Sequence, residues 1–551
     1  MLDGPPNRSV QGRVTRSLAS DGKRLGTQYP PIPGGHVDTH RPANGRASGV
    51  VAGSRFHRGS PLPSRLLALV LYMLAASPGL SHARIIRVPS ELGTLQSAID
   101  AADAGDEVLV APGTYRGAGN KNLDLHQMDI TVRSEGGAEV TVIDCEGSGR
   151  GFVLYGGFTR SAVIEGFTIV NGNGSDEGVG GGGMVIGGGS PTIRNCVFRN
   201  NRAISSVFAG GGGGGIACHG SSAMIEGCVF IQNTVDIAPG AVGGGLASHE
   251  STPFIRGCEF IDNVAVGSGG GGGGVYVHLI APHPGVTIEN CDFIRNHANT
   301  GGGGVVTGSM IIDCVIDGNT AGGAAGMGVL FSEITRCTIR GNVSGLLGGG
   351  VELGGSRMID CVITNNTAIQ GGGVAAVGGS GSTIEDCLIT DNVAEVGGGL
   401  FCSSREPTVV QGCTFARNRA PEASGLAFYA LERISHQVDN TIVTHGFGGP
   451  AIECLGIASV NLTCTDLFGN EGGDWTGCIA GQVGTLGNFS ADPRLCSSDK
   501  ENFTLAANSP CLPGNHPQGT NCGIIGAEGQ GCPAVAVEAT TWGRIKARYR
   551  E

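Results

Sequence analysis

His219, His249 and His278 are spaced for chemistry. Each stands four positions after the last glycine of a glycine run, in three consecutive runs. If those runs stack, the imidazoles lie in neighbouring turns about 4.8 Å apart, with Glu250 and His283 close in sequence. Three imidazoles can hold a transition metal such as zinc or nickel. Exposed strand ends that merely tolerate His are the commoner explanation, because stacked neighbours spread their donors wider than chelation wants. No cofactor is expected, a metal at this triad being the one exception the sequence raises.

Other catalytic groupings are thin. Proton abstraction from an acidic sugar needs carboxylates for Ca²⁺ and an Arg or Lys base beside them. No Asp-Asp pair occurs, and the glycine runs lack the Lys-Ser/Thr ending of a phosphate-binding loop. No G-x-S-x-G elbow is present either. The residue set points away from catalysis.

The element that must position these groups repeats nine times: a Cys, an apolar residue two places on, and an Asn five places after the Cys. The cysteines are Cys196, Cys228, Cys258, Cys291, Cys314, Cys337, Cys361, Cys387 and Cys413. The asparagines are Asn201, Asn233, Asn263, Asn296, Asn319, Asn342, Asn366, Asn392 and Asn418. Successive cysteines lie 23 to 33 residues apart, so a fixed core carries variable loops, as in a stacked solenoid.

Within TIRNCVFRNN, Cys196 and Phe198 share a strand face, while Ile193 has the wrong parity for the same strand. A bend must lie between. The residue before each Cys is Asn, Asp or Gly in eight of nine repeats, types that tolerate left-handed backbone; only Arg336 departs. A third strand follows each glycine run. Its middle residues are Val185, Ala217, Ala247, Tyr276, Val306, Leu330, Glu352, Ala375, Phe401 and Ala427. They are expected to face out, as a docking face unless long loops cover them. Three strands per turn make an all-β, single-stranded parallel β-helix of about 12 turns. In it the Asn column hydrogen-bonds from turn to turn and the Cys column packs as small apolar thiols.

Caps are expected at both ends. Ser90 to Ala102 places Leu92, Leu95, Ile99 and Ala102 on one helical face. At the other end Cys454, Cys464, Cys478, Cys496, Cys511, Cys522 and Cys532 follow no repeat. Of these Cys478, Cys496, Cys511, Cys522 and Cys532 are disulfide candidates, and Cys464 is expected to remain in the solenoid column.

The chain of 551 residues has 101 Gly, 15% charged and 40% hydrophobic residues, which excludes a disordered or collagen-like body. Residues 1–64 carry nine basic residues against three Asp and read as a disordered leader or as a start assigned too early. Arg65, the apolar run Leu66 to Ala76 and the ending at Ala83 read as a signal peptide over 65–83. The solenoid is then expected over 84–470, a Cys-rich cap over 471–532 and a tail over 533–551. The remainder after residue 64 holds 26 basic and 44 acidic residues, which argues against a nucleic-acid partner. No transmembrane segment is expected in the mature chain, which reads as a monomer.

SAIDAADAGDEVLVAPGTY, Ser97 to Tyr115, resembles the N-terminal cap and first strand of right-handed parallel β-helix proteins with the pectin-lyase-like fold. The repeats resemble those of chlamydial polymorphic outer-membrane proteins, with F-x-x-N at Phe198, Phe230, Phe260, Phe293 and Phe415, and G-G-hydrophobic in the glycine-run strands. FSADPRLC and FTLAANSPC resemble the endings of bacterial secreted β-helix proteins. Arg544–Lys546 echoes a substrate-binding motif of polygalacturonase-like hydrolases but lies beyond the solenoid. These likenesses bring no activity with them; the signal peptide, the acidic body and the mostly apolar outward column instead point to a secreted or cell-surface, non-enzymatic scaffold, adhesin or glycan-binding protein, with glycans or cell-surface proteins as partners. The alternative is a lyase or epimerase of uronate-containing glycans.

Overall fold

The computed structural model describes residues 83–174, 180–205, 212–237, 242–266, 271–278, 285–497 and 502–533. The basic leader, the signal peptide up to residue 82, His283, the tail after residue 533 and the Arg544–Lys546 motif lie outside the described residues.

Along most of the coil each turn supplies one strand to each of three long parallel sheets. The first sheet holds 15 strands from Ile85–Val88 to Ser459–Thr463, the second 14 from Gly113–Tyr115 to Asp466–Phe468, and the third 12 from Phe152–Tyr155 to Ile452–Gly456. The coil thus has about 15 turns, more than the nine-fold repeat and more than the dozen expected. The additional turns stand at both ends, where Cys and Asn are replaced by other residues. The chain packs inward Ile193, Ile225, Ile255 and Ile288 from the first sheet, and the Cys and Phe columns from the second. Phe198, Phe230, Phe260 and Phe293 stack with ring centroids 5.1, 4.6 and 4.9 Å apart. Burying each such side chain contributes about 1.5–3 kcal/mol.

The bend between the first and second sheets is left-handed in all nine repeats, φ running from 51° at Asn290 to 63° at Gly412. Arg336 (φ 54°) adopts it too, and its guanidinium makes two 2.7 Å bonds to Asp313 one turn earlier. A second left-handed residue precedes each ladder Asn, among them Asn200, Gln232, Asp262 and Arg295. The nine ladder asparagines are at most 1% exposed. Each amide from Asn201 to Asn392 donates to the carbonyl oxygen of the next one at 2.9–3.1 Å. The nine repeat cysteines are free thiols, all buried.

The third strand does not expose its middle residues as expected. Val185, Ala217, Ala375 and Ala427 have no exposed surface, Ala247 2% and Phe401 5%. The cause is the glycine run ahead of each strand, which folds back over it. A Cβ on Gly213, Gly243 or Gly272 would stand 1.7–1.8 Å from the carbonyl oxygen three residues on, so only glycine fits. Leu330 is also misplaced by the glycine-run alignment. Pairing aligns Met327 with Val305 and Val351, so Gly328 holds the middle position and Leu330 comes two residues later.

At the start, the helix Leu95–Asp100 is closed by a capping box between Thr94 and Ser97 and buries Leu95, Ala98 and Ile99. At the far end a 3₁₀ helix, Gly477–Gln482, packs on the last turn, and Cys454–Cys478 ties it there. The remaining C-terminal segment turns back along the outside of the second sheet, where Ile525 packs with Ile442 and Ala527 N–H donates to Thr414 Oγ1. Its bridges are Cys464–Cys522 and Cys496–Cys532. Two expectations are thereby corrected. Cys464 is bridged, because it occupies the left-handed bend itself (φ 50°), one residue before the column site, which Thr465 fills. Cys511 is the unpaired cysteine; it is buried, with its thiol 3.3 Å from Asp466 Oδ2.

Candidate functional site

The register places His219, His249 and His278 in one column at the ends of Ile216–His219, Leu246–His249 and Val275–His278. The rings of His249 and His278 stack at 4.8 Å and 8°, and His219 tilts 45° at 6.1 Å from His249. Burial, with His249 beside it, lowers the His219 pKa to about 4. Burial and His278 lower that of His249, against a small opposing effect of Glu250. His219 Nε2 and His278 Nδ1 are buried without a hydrogen-bond partner among the described residues. Rings stacked face to face do not aim their nitrogens at one centre. Among the described residues no group of three His, Cys, Asp or Glu is disposed to hold a metal ion.

The same column runs along the whole third sheet. Tyr155 and Gly187 precede His219 in register. Continued by one or two residues past the paired strands, the register carries it through Gly308, Leu330, Gly354 and Val377 to Ser403, Tyr429 and Leu455. All of these except Gly354 keep part of their surface in solvent. The column was hidden in the sequence because glycine-run counting puts Leu330 two places out of step with its neighbours.

Where the column reaches its C-terminal turns it forms one wall of a groove of about 640 Å³. Val377, Ser403, Tyr429 and Leu455 face Leu347, Gln370, Val396 and Glu422, which stack in register through single bridges between turns. Buried Phe401, Ala423 and Ala427 pack against both walls. An adjoining cavity of about 430 Å³ shares Ser403 and Tyr429 and adds Arg405, Leu431 and Glu432. Glu422 is the single charged residue lining the larger groove, so no base stands beside a carboxylate there. The groove offers aromatic and aliphatic surface with a few hydrogen-bonding groups, an arrangement suited to holding a ligand rather than moving its protons.

Glu352 and Tyr276, the polar members of the middle position, lie apart from the groove lining. Burial raises the pKa of each, and Glu352 is flanked in register by Gly328 and Ala375, neither of which can assist proton transfer.

No curated protein sequence matches the chain. Among solved structures, the crystal structure of pectate lyase Pel9A aligns with 82% of this chain and 98% of its own, at 12% identity and a TM-score of 0.26, a likeness that carries nothing about activity. A family model for the right-handed β-helix region matches residues 129–329 and 306–461, more than half of the chain and the same turns that build the third sheet and its groove. With its three parallel sheets and internal ladders, the chain belongs to the right-handed β-helix family.

Proposed function

We propose that this protein is an exported, non-enzymatic β-helix scaffold or adhesin that holds glycans in the groove between Glu422 and Tyr429. The observation that carries the reading is the lining of that groove: two aromatic rings, an amide, two hydroxyls and aliphatic side chains, with one carboxylate and no basic residue. Three disulfides support an extracellular setting. Among the described residues no helix is long and apolar enough to cross a membrane.

The test pairs binding with chemistry. Affinity electrophoresis of the mature protein against a panel of immobilised glycans is expected to retard it on at least one. Tyr429→Ala should weaken that retardation on the order of tenfold or more, the effect of removing about 1.5–3 kcal/mol of buried aromatic contact. Pectate, alginate and heparinoid should yield no unsaturated product by ultraviolet absorbance. Such product, abolished by Glu422→Gln, would establish a lyase instead.

A further inference from the structure

The groove is one end of a longer uncharged strip, and that strip constrains its ligand. Eleven strands of the third sheet separate Tyr155 from Tyr429 inclusively, ten steps of about 4.8 Å or roughly 48 Å. No column residue between them is Lys, Arg, Asp or Glu.

Two side chains of the strip lie over glycines of the next turn. A Cβ on Gly187 would meet the Tyr155 ring at 2.3 Å, and one on Gly354 would meet Leu330 Cδ2 at 2.4 Å. Each therefore fills the space that a neighbouring side chain would take, and still exposes 47% and 61% of its surface. Low, flat apolar surfaces of this kind suit the C–H faces of pyranose rings. The rise per turn, about 4.8 Å, is close to the length of one 1,4-linked sugar, so an extended chain can stay in step with the coil.

Electrostatics separates the classes of glycan. Among the described residues, Glu250 follows the strip, Glu352 and Glu453 stand two places ahead of it in its own strands, and Glu422, Glu432 and Arg405 line its C-terminal cavities, five carboxylates to one cation. The body is acidic as a whole. Burial keeps His219 and His249 uncharged near neutrality, so the histidine stack supplies no counter-charge from those two rings. A polyuronate would meet repulsion along most of this path.

We infer that the exposed column from Tyr155 to Leu455 is a continuous track for an uncharged, extended polysaccharide. The inference rests on the glycan-binding reading above and names its ligand class and length. The track binds by ring stacking and van der Waals contact, with Tyr155 and Tyr429 as its two aromatic stations. Its affinity depends on ligand length up to about ten sugars, one per turn of the coil.

Calorimetry with two length series tests this, one of neutral 1,4-linked glucan oligosaccharides and one of oligogalacturonates, each at low and high salt near neutral pH. The neutral series is expected to bind more tightly at equal length, with little salt dependence, and to gain affinity well beyond the four turns of the groove. Tyr155→Ala should weaken long chains several-fold and leave trisaccharides unchanged, while Tyr429→Ala weakens both. Leu330→Asp should act like Tyr155→Ala. Tighter, salt-sensitive binding of the uronates would overturn the ligand class while leaving glycan binding intact. A plateau at groove length, with Tyr155→Ala and Leu330→Asp silent, would overturn the track. Binding of neither series would remove the glycan reading and this inference with it.

Discussion

Replacing Asn319 by Ala tests what holds the turns together. Asn319 has no exposed surface, and its amide makes four bonds. Its oxygen accepts the backbone N–H of Asn296 at 2.8 Å and the Asn296 amide at 3.1 Å. Its nitrogen donates to Phe293 O at 2.9 Å and to Asn342 Oδ1 at 3.0 Å. Alanine removes all four. Asn342 Oδ1 keeps the backbone N–H of residue 319, and the Asn296 amide keeps Phe260 O, so these two losses are partial. The Asn296 N–H is stranded in the interior, at about 1–3 kcal/mol for an unsatisfied buried donor. The two partial losses and the bond lost at Phe293 O add at most about 1 kcal/mol each, for a total of roughly 1–6 kcal/mol.

The measurement is urea unfolding followed by far-ultraviolet circular dichroism, comparing wild type with Asn319→Ala and Asn418→Ala. Asn418 accepts two bonds from Asn392 and donates to Ile389 O. No asparagine continues the ladder at the next turn, so its loss should be the smaller one. Arg336→Gly serves as a surface control: it removes an exposed ion pair but relieves a left-handed arginine, so stability should hold or rise. The ladder argument fails if Asn319→Ala costs less than about 1 kcal/mol. It also fails if Asn418→Ala costs more than Asn319→Ala.

Burial raises the Asp466 pKa to about 8, so the folded state holds its proton while the unfolded chain releases it near the ordinary carboxylate value. Stability should therefore fall as pH rises from about 4 to 8, by at most about 1.4 kcal/mol per pH unit, and level off above. Asp466→Asn keeps an acceptor for Ala491 N–H and should remove that slope; an identical pH profile would refute the assignment. Mass-spectrometric mapping of the purified protein should find Cys454–Cys478, Cys464–Cys522 and Cys496–Cys532, with Cys511 labelled only after unfolding. A bridge involving Cys511 would contradict the packing around Asp466.

The interior was legible because it is periodic. A bend that demands positive φ writes Asn, Asp or Gly before eight of the nine Cys, and a buried amide that must bond its own copy in the next turn writes Asn at one spacing. Arg336 shows how local pairing overrides such a rule. The overlying glycine layer was not legible, because a glycine chosen for a close backbone approach reads the same as one chosen for a flexible turn. Disulfide partners were not legible either. Cys464 and Thr465 differ by a single position in the chain, yet one points out of the coil and the other into it, and only the bend dihedral separates them.

The groove escaped sequence reading for a related reason. In a solenoid, a residue inside the coil is constrained by identical neighbours above and below, so its type repeats. A residue on the exposed column of the third sheet has no such constraint. Tyr, Gly, His, Leu, Val and Ser succeed one another there, and their common position emerges only from strand pairing. Irregularity in that column is what permits a ligand-specific surface, since stacking itself would be satisfied by any small apolar residue. The glycines at Gly187 and Gly354 sharpen the point: each clears space for the side chain of the preceding turn, Tyr155 or Leu330, to lie across it. Filling either gap with alanine should tilt that side chain off the sheet and weaken ligand binding while leaving the buried ladders, and hence the coil, in place.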